Sequence, residues 1–474
     1  MAYCIWKSYK LKAAPWKIFT ALAEKKNCFF FDSGARLGNP LGRYSFLGAE
    51  PFRILETKGR NPLPRLRELL REYRLRLPAG LPPFFCGAAG YLGYDLGFLL
   101  EEKLRKRTPD DLGIPDCCFG FYNTVVAMDH FRKILYLSAA GLPEKNYLLQ
   151  KSLARENFKR MQDLLARGEG RKISGKEIQA SRPPAQLESN FTPEGYCAAV
   201  RKAKDYIRQG EIYQVNLSQR FQGRSGLSGV QLYQRLRNLS PANFSAYFDA
   251  GDFQILSSSP ERFLSVRDGQ VFTRPMKGTR PRAKNRAQDK RFKGALLKST
   301  KDKAELVMIV DLERNDLGRV CSFDSIEVKA LRNLERYRTV FQTTADIRGR
   351  LGRGKDRIDL LSAAFPGGSI TGCPKIRSMQ IIEELEPSRR GIYTGSLGYL
   401  SFSGEMDFNI LIRTILKKQD RLYFGAGGGI VADSQPLDEY RETLVKVKAL
   451  LQTIGTPCNP ICRVSPAGDT LRFG

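Results

Sequence analysis

The chain has 474 residues, of which 42% are hydrophobic and 10% aromatic, with 78 Lys and Arg against 49 Asp and Glu. This globular composition excludes a disordered or fibrous protein, because it suffices for a large core in one big domain or two fused units. The formal charge of +29 raises nucleic acid, a membrane surface or an anionic substrate as partners. Since the basic residues are spread along the chain, we predict a generally basic, solvated surface and no nucleic-acid partner.

The sequence gives little indication of a zinc site, a membrane span or a secretion signal. Ten cysteines at irregular spacings and a single histidine, His130, argue against a zinc site. The first residues lack a sustained apolar run with a small-residue cleavage pattern, and no later run has the length of a membrane span. We therefore expect no membrane association and a reducing, cytoplasmic location.

The predicted elements begin with short strands and turns over residues 1–140, followed by a helix over 143–168. The polar segment from Gly168 to Asn190 contains Gly, Ser and a Pro-Pro pair, which is typical of a linker. The predicted division is an N-terminal region over 1–168, a linker over 169–190, a second domain over 191–455 and a C-terminal tail over 456–474.

The second domain opens with a capped helix. Thr192 is the predicted N-cap and Pro193 takes the first helical position, with the helix ending near Gln209. Strands are predicted to follow, over 212–221, 246–248, 253–257 and 263–266. Near the end, apolar and polar residues alternate from Phe408, which predicts that Arg413 lies on the opposite face of a strand from the apolar row.

Two predicted helices carry candidate carboxylates. Glu305 lies in the otherwise strongly apolar helix 301–317, so it must be paired, protonated or bound to a cation. In the last helix, Glu439, Glu442 and Lys446 stand three and four residues apart and share one flank. Taken alone, that second group is more typical of a surface salt-bridge ladder.

Two glycine-rich runs are candidate anion sites. The run 425–429 follows a predicted strand and would present backbone N–H groups to an anion. The run 365–375 precedes a helix and is either an anion seat or a tight turn that needs small residues. Neither run fits the dinucleotide or ATP patterns, so we discount both ligands.

Lys277 lies between two prolines in the segment 274–282 (RPMKGTRPR). By residue type alone it is an exposed cation. Desolvation together with the neighbouring arginines would lower its pKa and produce a neutral amine nucleophile.

Read together, these segments resemble the chorismate-utilising family, which includes anthranilate synthase component I, aminodeoxychorismate synthase component I, and the isochorismate and salicylate synthases. The resemblance covers residues 190–452 through EIYQVNLSQRF, SSSPERF, RPMKGTRPR, KDKAELVMIVDLERNDLGRV, FPGGSITGCPK, GSLGYLSF, NILIRT, GAGGGIVADS and EYRETLVKVK. It implies an α+β fold with two large, closely associated antiparallel β-sheets flanked by helices. It also makes 191–455 the chorismate-binding catalytic domain.

Within the family, two positions imply the reaction. Lys277 occupies the P-[IM]-K-G-T motif as aminodeoxychorismate synthases have it, where anthranilate synthases carry alanine. Gln214 stands where isochorismate and salicylate synthases carry a lysine base. The resemblance thus implies amination of chorismate to 4-amino-4-deoxychorismate, through a covalent lysine intermediate, in 4-aminobenzoate and folate biosynthesis. The alternatives are an anthranilate synthase component I and, from another class, a basic nucleic-acid-binding protein.

The resemblance also implies roles for individual residues. Lys277 is the nucleophile and Glu261 the proton donor, while Glu305 and Glu442 hold Mg²⁺ with Glu439 as a possible outer partner. The implied substrate-binding residues are Gln214, Thr279, Gln342, Thr371, Gly372, Tyr399, Arg413, Gly427, Gly428, Gly429 and Lys446. Of these, Gln342 replaces a histidine that many relatives carry. The weakly matching N-terminal third implies a tryptophan pocket with Ser33 and Phe244.

A partner subunit is expected as well. A glutaminase site needs a histidine near its reactive thiol, and His130 lies far from any such motif. Ammonia is therefore expected from a separate glutamine amidotransferase subunit that docks on this chain.

Overall fold

The computed structural model describes residues 2–33, 40–168, 187–283, 285–337 and 340–456. The predicted tail over 456–474 and linker over 169–190 fall almost wholly outside these ranges. The helices described are α1 (Pro15–Phe19), α2 (Leu63–Glu72), α3 (Gly97–Leu100), α4 (Tyr147–Gly168), α5 (Pro193–Arg208), α6 (Gly229–Leu239), α7 (Arg286–Lys298), α8 (Thr300–Gly318), α9 (Arg357–Ala364), α10 (Lys375–Leu385) and α11 (Pro436–Ile454).

The strands lie between and around these helices. In chain order they are β1 (Cys4–Lys10), β2 (Phe29–Asp32), β3 (Tyr44–Gly48), β4 (Arg53–Thr57), β5 (Gly87–Leu92), β6 (Cys117–Tyr122), β7 (Thr124–Asp129), β8 (Ile134–Ala140), β9 (Glu188–Ser189), β10 (Gln214–Arg224), β11 (Phe244–Asp249), β12 (Phe253–Ser259), β13 (Arg262–Arg267), β14 (Gln270–Arg274), β15 (Met276–Pro281), β16 (Glu327–Arg336), β17 (Val340–Arg350), β18 (Gly372–Cys373), β19 (Ser396–Ser401), β20 (Met406–Asn409), β21 (Thr414–Lys418) and β22 (Arg421–Ile430).

These strands form two large antiparallel sheets. The first has the order β1-β8-β7-β3-β2-β11-β12-β21-β22-β10-β18, with β9 also paired to β10. The second has the order β15-β17-β14-β13-β20-β19-β5-β6-β4, with β16 also paired to β17. The predicted α+β fold with two large antiparallel sheets is confirmed.

Strands from both sides of the predicted linker enter both sheets. In the first sheet β2 pairs with β11, and in the second β5 pairs with β19. The N-terminal region therefore completes the same two sheets that carry the second domain. The division into residue ranges stays a prediction.

The chain crosses from one sheet to the other at Asn123. The sequence over 119–128 predicts one β-type run, but in the structure β6 belongs to the second sheet and β7 to the first. The Asn123 amide donates to Leu142 O at 2.7 Å, and Asn123 O accepts from Ala140 N at 2.7 Å. These two bonds satisfy polar groups of Asn123 where the chain leaves one sheet and enters the other. The strand is therefore interrupted there, although the sequence stays apolar.

The helix α5 begins where its sequence signals predict. Thr192 Oγ1 accepts from Gly195 N at 3.0 Å and so caps α5. Ser299 Oγ caps α8 by accepting from Asp302 N at 3.1 Å. Among the residues described, no helix combines the length and apolar character that crossing a bilayer demands.

Candidate active site

Most of the predicted site residues converge on one region to which both sheets contribute. Lys277 lies on β15 of the second sheet, whereas Gln214 on β10 and Gly428 on β22 belong to the first. Glu305 and Glu442 come from α8 and α11. Residues distant in sequence thus form one polar cluster.

The Lys277 side chain points into this cluster. Its Nζ donates to the carbonyl oxygen of Ser369 at 3.4 Å. Burial lowers the pKa of the Lys277 amine, while the charges of Glu305 and Glu261 oppose that shift. At neutral pH the neutral amine is therefore more populated than for an exposed lysine.

The expectation that neighbouring arginines lower this pKa is wrong. Arg280 donates to Asp302 at 2.8 Å and Arg282 to Asp289 at 2.8 Å, so both charges are compensated elsewhere. Burial, which was expected together with the arginines, is the largest cause of the lowered pKa of Lys277, and the charge of Lys446 adds to it.

Glu261 is the buried acid of the cluster. Burial raises its pKa to about 7, opposed by a hydrogen bond with the Ser369 side chain and by the charge of Lys277. A carboxylic acid that keeps its proton near neutral pH can donate it to a leaving group.

Three further carboxylates, those of Glu305, Glu439 and Glu442, belong to the cluster. The side chains of Glu305 and Glu439 are 15% and 8% exposed, and burial raises the pKa of both. Glu442 is half-exposed, and the Lys446 ammonium at 2.7 Å lowers its pKa. Lys446 also donates to Gly427 O at 2.7 Å.

Gly428 lets these charged groups converge. A Cβ atom on Gly428 would lie 3.1 Å from Glu439 Oε2. The same Cβ would lie 3.7 Å from Lys446 Nζ and 3.8 Å from Glu442 Oε1. The glycine run was expected to follow a strand. Instead, β22 continues through it, and over these glycines β22 pairs with β10 but no longer with β21.

Gln214 forms the floor of the cluster on the first sheet. Its side chain is fully buried, and neither Nε2 nor Oε1 has a hydrogen-bond partner within the described ranges. A Cβ on Gly429 would lie 2.8 Å from Gln214 Nε2, so the glycine leaves room for this amide. A buried amide without partners is costly, which is typical of a group that a ligand completes.

The family described as chorismate binding enzyme matches residues 26–452 of the chain. The chain belongs to the chorismate-binding enzyme family. The family predicted from the motifs is thereby confirmed.

Named members of the family cover nearly the whole chain. Anthranilate synthase component 1 of Cereibacter sphaeroides is 36% identical over 456 residues, 92% of this chain and 91% of that protein. Aminodeoxychorismate synthase component 1 of Bacillus subtilis is 34% identical over 430 residues, 87% of this chain and 89% of that protein. The crystal structure of anthranilate synthase component I from Streptococcus pneumoniae TIGR4 has 32% identity and a TM-score of 0.76, covering 87% of this chain and 93% of that chain.

The carboxylates fit a magnesium ion of the kind the family resemblance implied. Within the described part of the chain, no three His, Cys, Asp or Glu side chains are gathered into a ready metal cage. Mg²⁺ is commonly bound by one or two protein carboxylates, with waters and substrate oxygens completing the shell. Glu305 and Glu442, which raise each other's cost of ionisation, provide such a pair.

Arg413 also reaches this cluster, although not from a strand. The strand β20 ends at Asn409, and Arg413 has φ = 50°, so the predicted alternation stops before it. Its guanidinium is buried near Tyr337 and Glu261. This turn brings a cation next to the buried acid.

Four further predicted residues are Thr279, Gln342, Thr371 and Gly372. Gln342 Nε2 donates to Thr279 Oγ1 at 3.2 Å, while Gln342 Oε1 is buried and lacks a partner among the described residues. Thr371 uses its hydroxyl on Gly367 O at 3.0 Å, so this side chain stabilises its own turn. Gly372, at φ = 146°, passes so close to Gln214 that a Cβ there would lie 2.2 Å from Gln214 O.

Tyr399 does not belong to the predicted substrate site. Its ring stacks on Phe84 with centroids 4.5 Å apart, and its charged neighbours are Asp407 and Arg262. It lies on β19 and lines a second cavity of about 750 Å³. The expectation was wrong because the GYLSF segment continues β19 toward that cavity instead of turning toward Lys277.

The second cavity also contains the two residues predicted for a tryptophan pocket, Ser33 and Phe244. The Arg262 guanidinium lies 5.2 Å from the centroid of the Phe244 ring and pairs with Asp407 at 2.7 Å. The cavity therefore combines aromatic rings with charged side chains. Tryptophan binding stays a prediction.

Sequence reasoning missed four residues near the site: Ser369, Tyr337, Glu313 and Arg390. Burial raises the pKa of Glu313 to about 8. It lies in the same apolar helix as Glu305, so the same argument about a carboxylate among apolar residues could have found it. Ser369 lies in the glycine-rich run 365–375, whereas nothing in the sequence singled out Tyr337.

Proposed function

We propose that the chain is an aminodeoxychorismate synthase component I, which aminates chorismate to 4-amino-4-deoxychorismate in 4-aminobenzoate and folate biosynthesis. The observation that carries this proposal is the buried amine of Lys277, aimed at Ser369 and close to Glu261 and Glu305. An exposed lysine at this position would give the proposal no support.

In the first step, the neutral amine of Lys277 bonds to the ring carbon β to the ring carboxylate. The two ring double bonds shift, and the bond to the ring hydroxyl breaks. Glu261, whose pKa of about 7 leaves it largely protonated below that pH, donates the proton with which the hydroxyl departs as water. The new secondary amine releases one proton to balance the charge.

In the second step, ammonia bonds to the ring carbon that lost the hydroxyl. The double bonds shift back and the carbon–nitrogen bond to Lys277 breaks. The incoming ammonia gives up one proton and the departing lysine nitrogen gains one, which regenerates the neutral amine. The covalent relay accounts for the regiochemistry, because ammonia acting like Lys277 would add at the other carbon. The enolpyruvyl group stays on the product.

Charged groups around Lys277 would hold the substrate's two carboxylates. Arg413 and Lys446 supply cations, Gly427 to Gly429 supply backbone N–H groups, and the unpartnered Gln214 amide supplies a donor. Glu305 and Glu442 would hold Mg²⁺, with Glu439 as outer partner, and the ion would withdraw charge from the ring carboxylate.

Ammonia would come from a separate glutamine amidotransferase subunit. The one histidine, His130, contacts Ser45 with Nε2 and Oγ 2.7 Å apart, on the turn between β7 and β8. We expect the purified chain to use ammonium but to release no ammonia from glutamine. Glutamine hydrolysis by this chain alone would contradict the partner assignment.

Anthranilate synthase component I is the second candidate, because relatives from several organisms at 35–37% identity carry that name. That activity would eliminate pyruvate and yield the ortho amine. It gives no role to the amine of Lys277, which is why we rank it second.

Product identification separates the two candidates. The full chain is incubated with chorismate, MgCl₂ and ammonium, and the products are followed by mass spectrometry, anthranilate fluorescence and a pyruvate assay. We expect 4-amino-4-deoxychorismate without pyruvate. Fluorescent anthranilate, formed with stoichiometric pyruvate and without an added lyase, would establish the second candidate.

The matched variant is Lys277→Ala. We expect amination to fall by at least about a hundredfold, and a chorismate adduct to form on the Lys277 peptide of the wild type when ammonium is omitted. Lys303→Ala, on the exposed flank of α8, serves as control. A Lys277→Ala variant that aminates at the full rate would remove the nucleophile assignment.

A further inference from the structure

The three carboxylates near Lys277 share one partially exposed cation, Lys301. Its Nζ lies 4.0 Å from Glu305 Oε1 on the same helix and 4.0 Å from Glu439 Oε1 on α11. Its charge also favours the ionised form of Glu442. Lys301 therefore bridges α8 and α11 through acidic side chains.

Helix stability alone does not account for this arrangement. Within a helix, a lysine four residues before a glutamate is the weaker of the two orders, because the reverse order agrees with the helix dipole. The contact with Glu439 reaches a different helix and adds nothing to α8 itself. What Lys301 offers instead is compensation for carboxylates whose burial makes them costly to ionise together.

The contacts of Lys301 are also easy to break. At 4.0 Å its ammonium lies at the limit of an ion pair, and its side chain is half-exposed. A lysine on a flexible four-carbon stem can move into solvent at little cost. By contrast, the Lys446 ammonium is held by Glu442 at 2.7 Å and Gly427 O at 2.7 Å.

We propose that Lys301 is the resident counter-ion of this acidic cluster and that it must leave when Mg²⁺ binds. The inference rests on the magnesium site of the proposed function. An ammonium and a divalent cation cannot both occupy the space between the same carboxylates, since they repel each other strongly at short range. Lys301 thus stabilises the metal-free protein and lowers its affinity for Mg²⁺.

The test compares Lys301→Met with Lys303→Met in the full chain. Both variants lose one positive charge from the first turn of α8, but Lys303 is exposed on the flank that faces away from the cluster, beside Ala304 and Val307. The Kd for MgCl₂ is obtained from the rise of the thermal unfolding midpoint with concentration, at constant ionic strength and without chorismate.

We expect Lys301→Met to lower the Kd for Mg²⁺ by about fivefold or more, and Lys303→Met to change it by less than about twofold. Without Mg²⁺, Lys301→Met should unfold at a lower temperature than the wild type, and saturating Mg²⁺ should close this gap. Lys301→Arg, which keeps the charge, should bind Mg²⁺ as the wild type does.

A Kd for Lys301→Met equal to or weaker than that of Lys303→Met would overturn the inference. If the wild type itself failed to bind Mg²⁺, with or without chorismate, the magnesium assignment would fall and the inference with it. The Lys277 adduct is measured independently of either result, so failure of the nucleophile assignment remains distinguishable.

Discussion

Lys277 and Glu261 both interact with Ser369. The Lys277 amine donates to the Ser369 carbonyl oxygen at 3.4 Å, and the Ser369 hydroxyl donates a hydrogen bond to the Glu261 carboxyl group. Burial acts on both groups in the direction of neutrality, lowering the pKa of the amine and raising that of the acid. A nucleophile without a proton and an acid with one are what the proposed first step requires.

This relationship predicts the pH dependence of amination. Glu261 loses its proton as pH rises through about 7, so the rate should fall across that range. The neutral fraction of Lys277 rises with pH, which gives the opposite limb and a bell-shaped profile. Glu261→Gln should lose the upper limb and react about 10²- to 10⁴-fold more slowly. A variant that kept the limb would show that another group is the acid.

The second buried acid, Glu313, predicts how stability depends on pH. Its folded pKa of about 8 lies above the ordinary value of 4.5, so the folded protein holds a proton that the unfolded chain has released. This contribution to stability is complete below about pH 4.5 and is lost as pH rises through about 8. The slope approaches about 1.4 kcal/mol per pH unit.

Glu313→Gln removes this ionisation while keeping an acceptor oxygen for Thr273 Oγ1, which donates to Glu313 at 2.7 Å. The variant should therefore gain stability relative to the wild type as pH rises from about 5 to about 9, as measured by urea unfolding. Asp311→Asn, an exposed change on the same helix, should show a constant difference. A constant difference for Glu313→Gln as well would contradict the buried ionisation.

Local patterns predicted much of the site. Helical spacing was enough to bring Glu439, Glu442 and Lys446 onto one flank, and an apolar surrounding was enough to single out Glu305. Each of these inferences requires knowledge of a single helix. The α+β fold, by contrast, was predicted from the family motifs.

What the sequence could not give was the position of one element relative to another. Tyr399 was misplaced because the direction of β19 depends on its pairing with β5, 300 residues away in the chain. Arg413 was placed on a strand because apolar alternation does not show where the backbone turns to φ = 50°. The contact between Lys301 and Glu439 depends on how α8 packs beside α11, which the sequence does not show.

The close surroundings of Gly428 predict the effect of adding a side chain at this position. A Cβ there would lie 3.1 Å from Glu439 Oε2, so this carboxylate must shift, and it would fill the space up to the ends of Lys446 and Glu442. Gly428→Ala should leave the fold intact but raise the KM for chorismate and for Mg²⁺ by about tenfold, because the charged groups must spread apart. Gly294→Ala has open space around its Cβ and lies in helix α7, so it should keep both KM values and add about 1 kcal/mol of stability. Unchanged kinetics in Gly428→Ala would show that these groups do not contact the substrate or the ion.

Among these substitutions, we expect the replacement of Arg390 to cause the largest loss of folding stability. Its guanidinium is buried and donates to Glu386 at 2.7 Å, to Asn216 O at 2.6 Å and to Ile370 O at 2.8 Å. It thereby ties β10 to the turn that contains Ser369. Removing it leaves the Glu386 charge buried without its cation, so Arg390→Ala should cost about 3–5 kcal/mol in urea unfolding.

The matched control is Arg314→Ala on α8. Arg314 pairs with Asp311 at 3.3 Å, but both side chains are exposed, so this change should cost less than about 0.5 kcal/mol. Glu386→Gln combined with Arg390→Met should recover part of the loss, because the pair is then replaced by neutral groups of similar size. If Arg390→Ala alone cost no more than Arg314→Ala, the buried pair would not be what fixes the Ser369 turn, and the alignment of Lys277 with Glu261 would need another source.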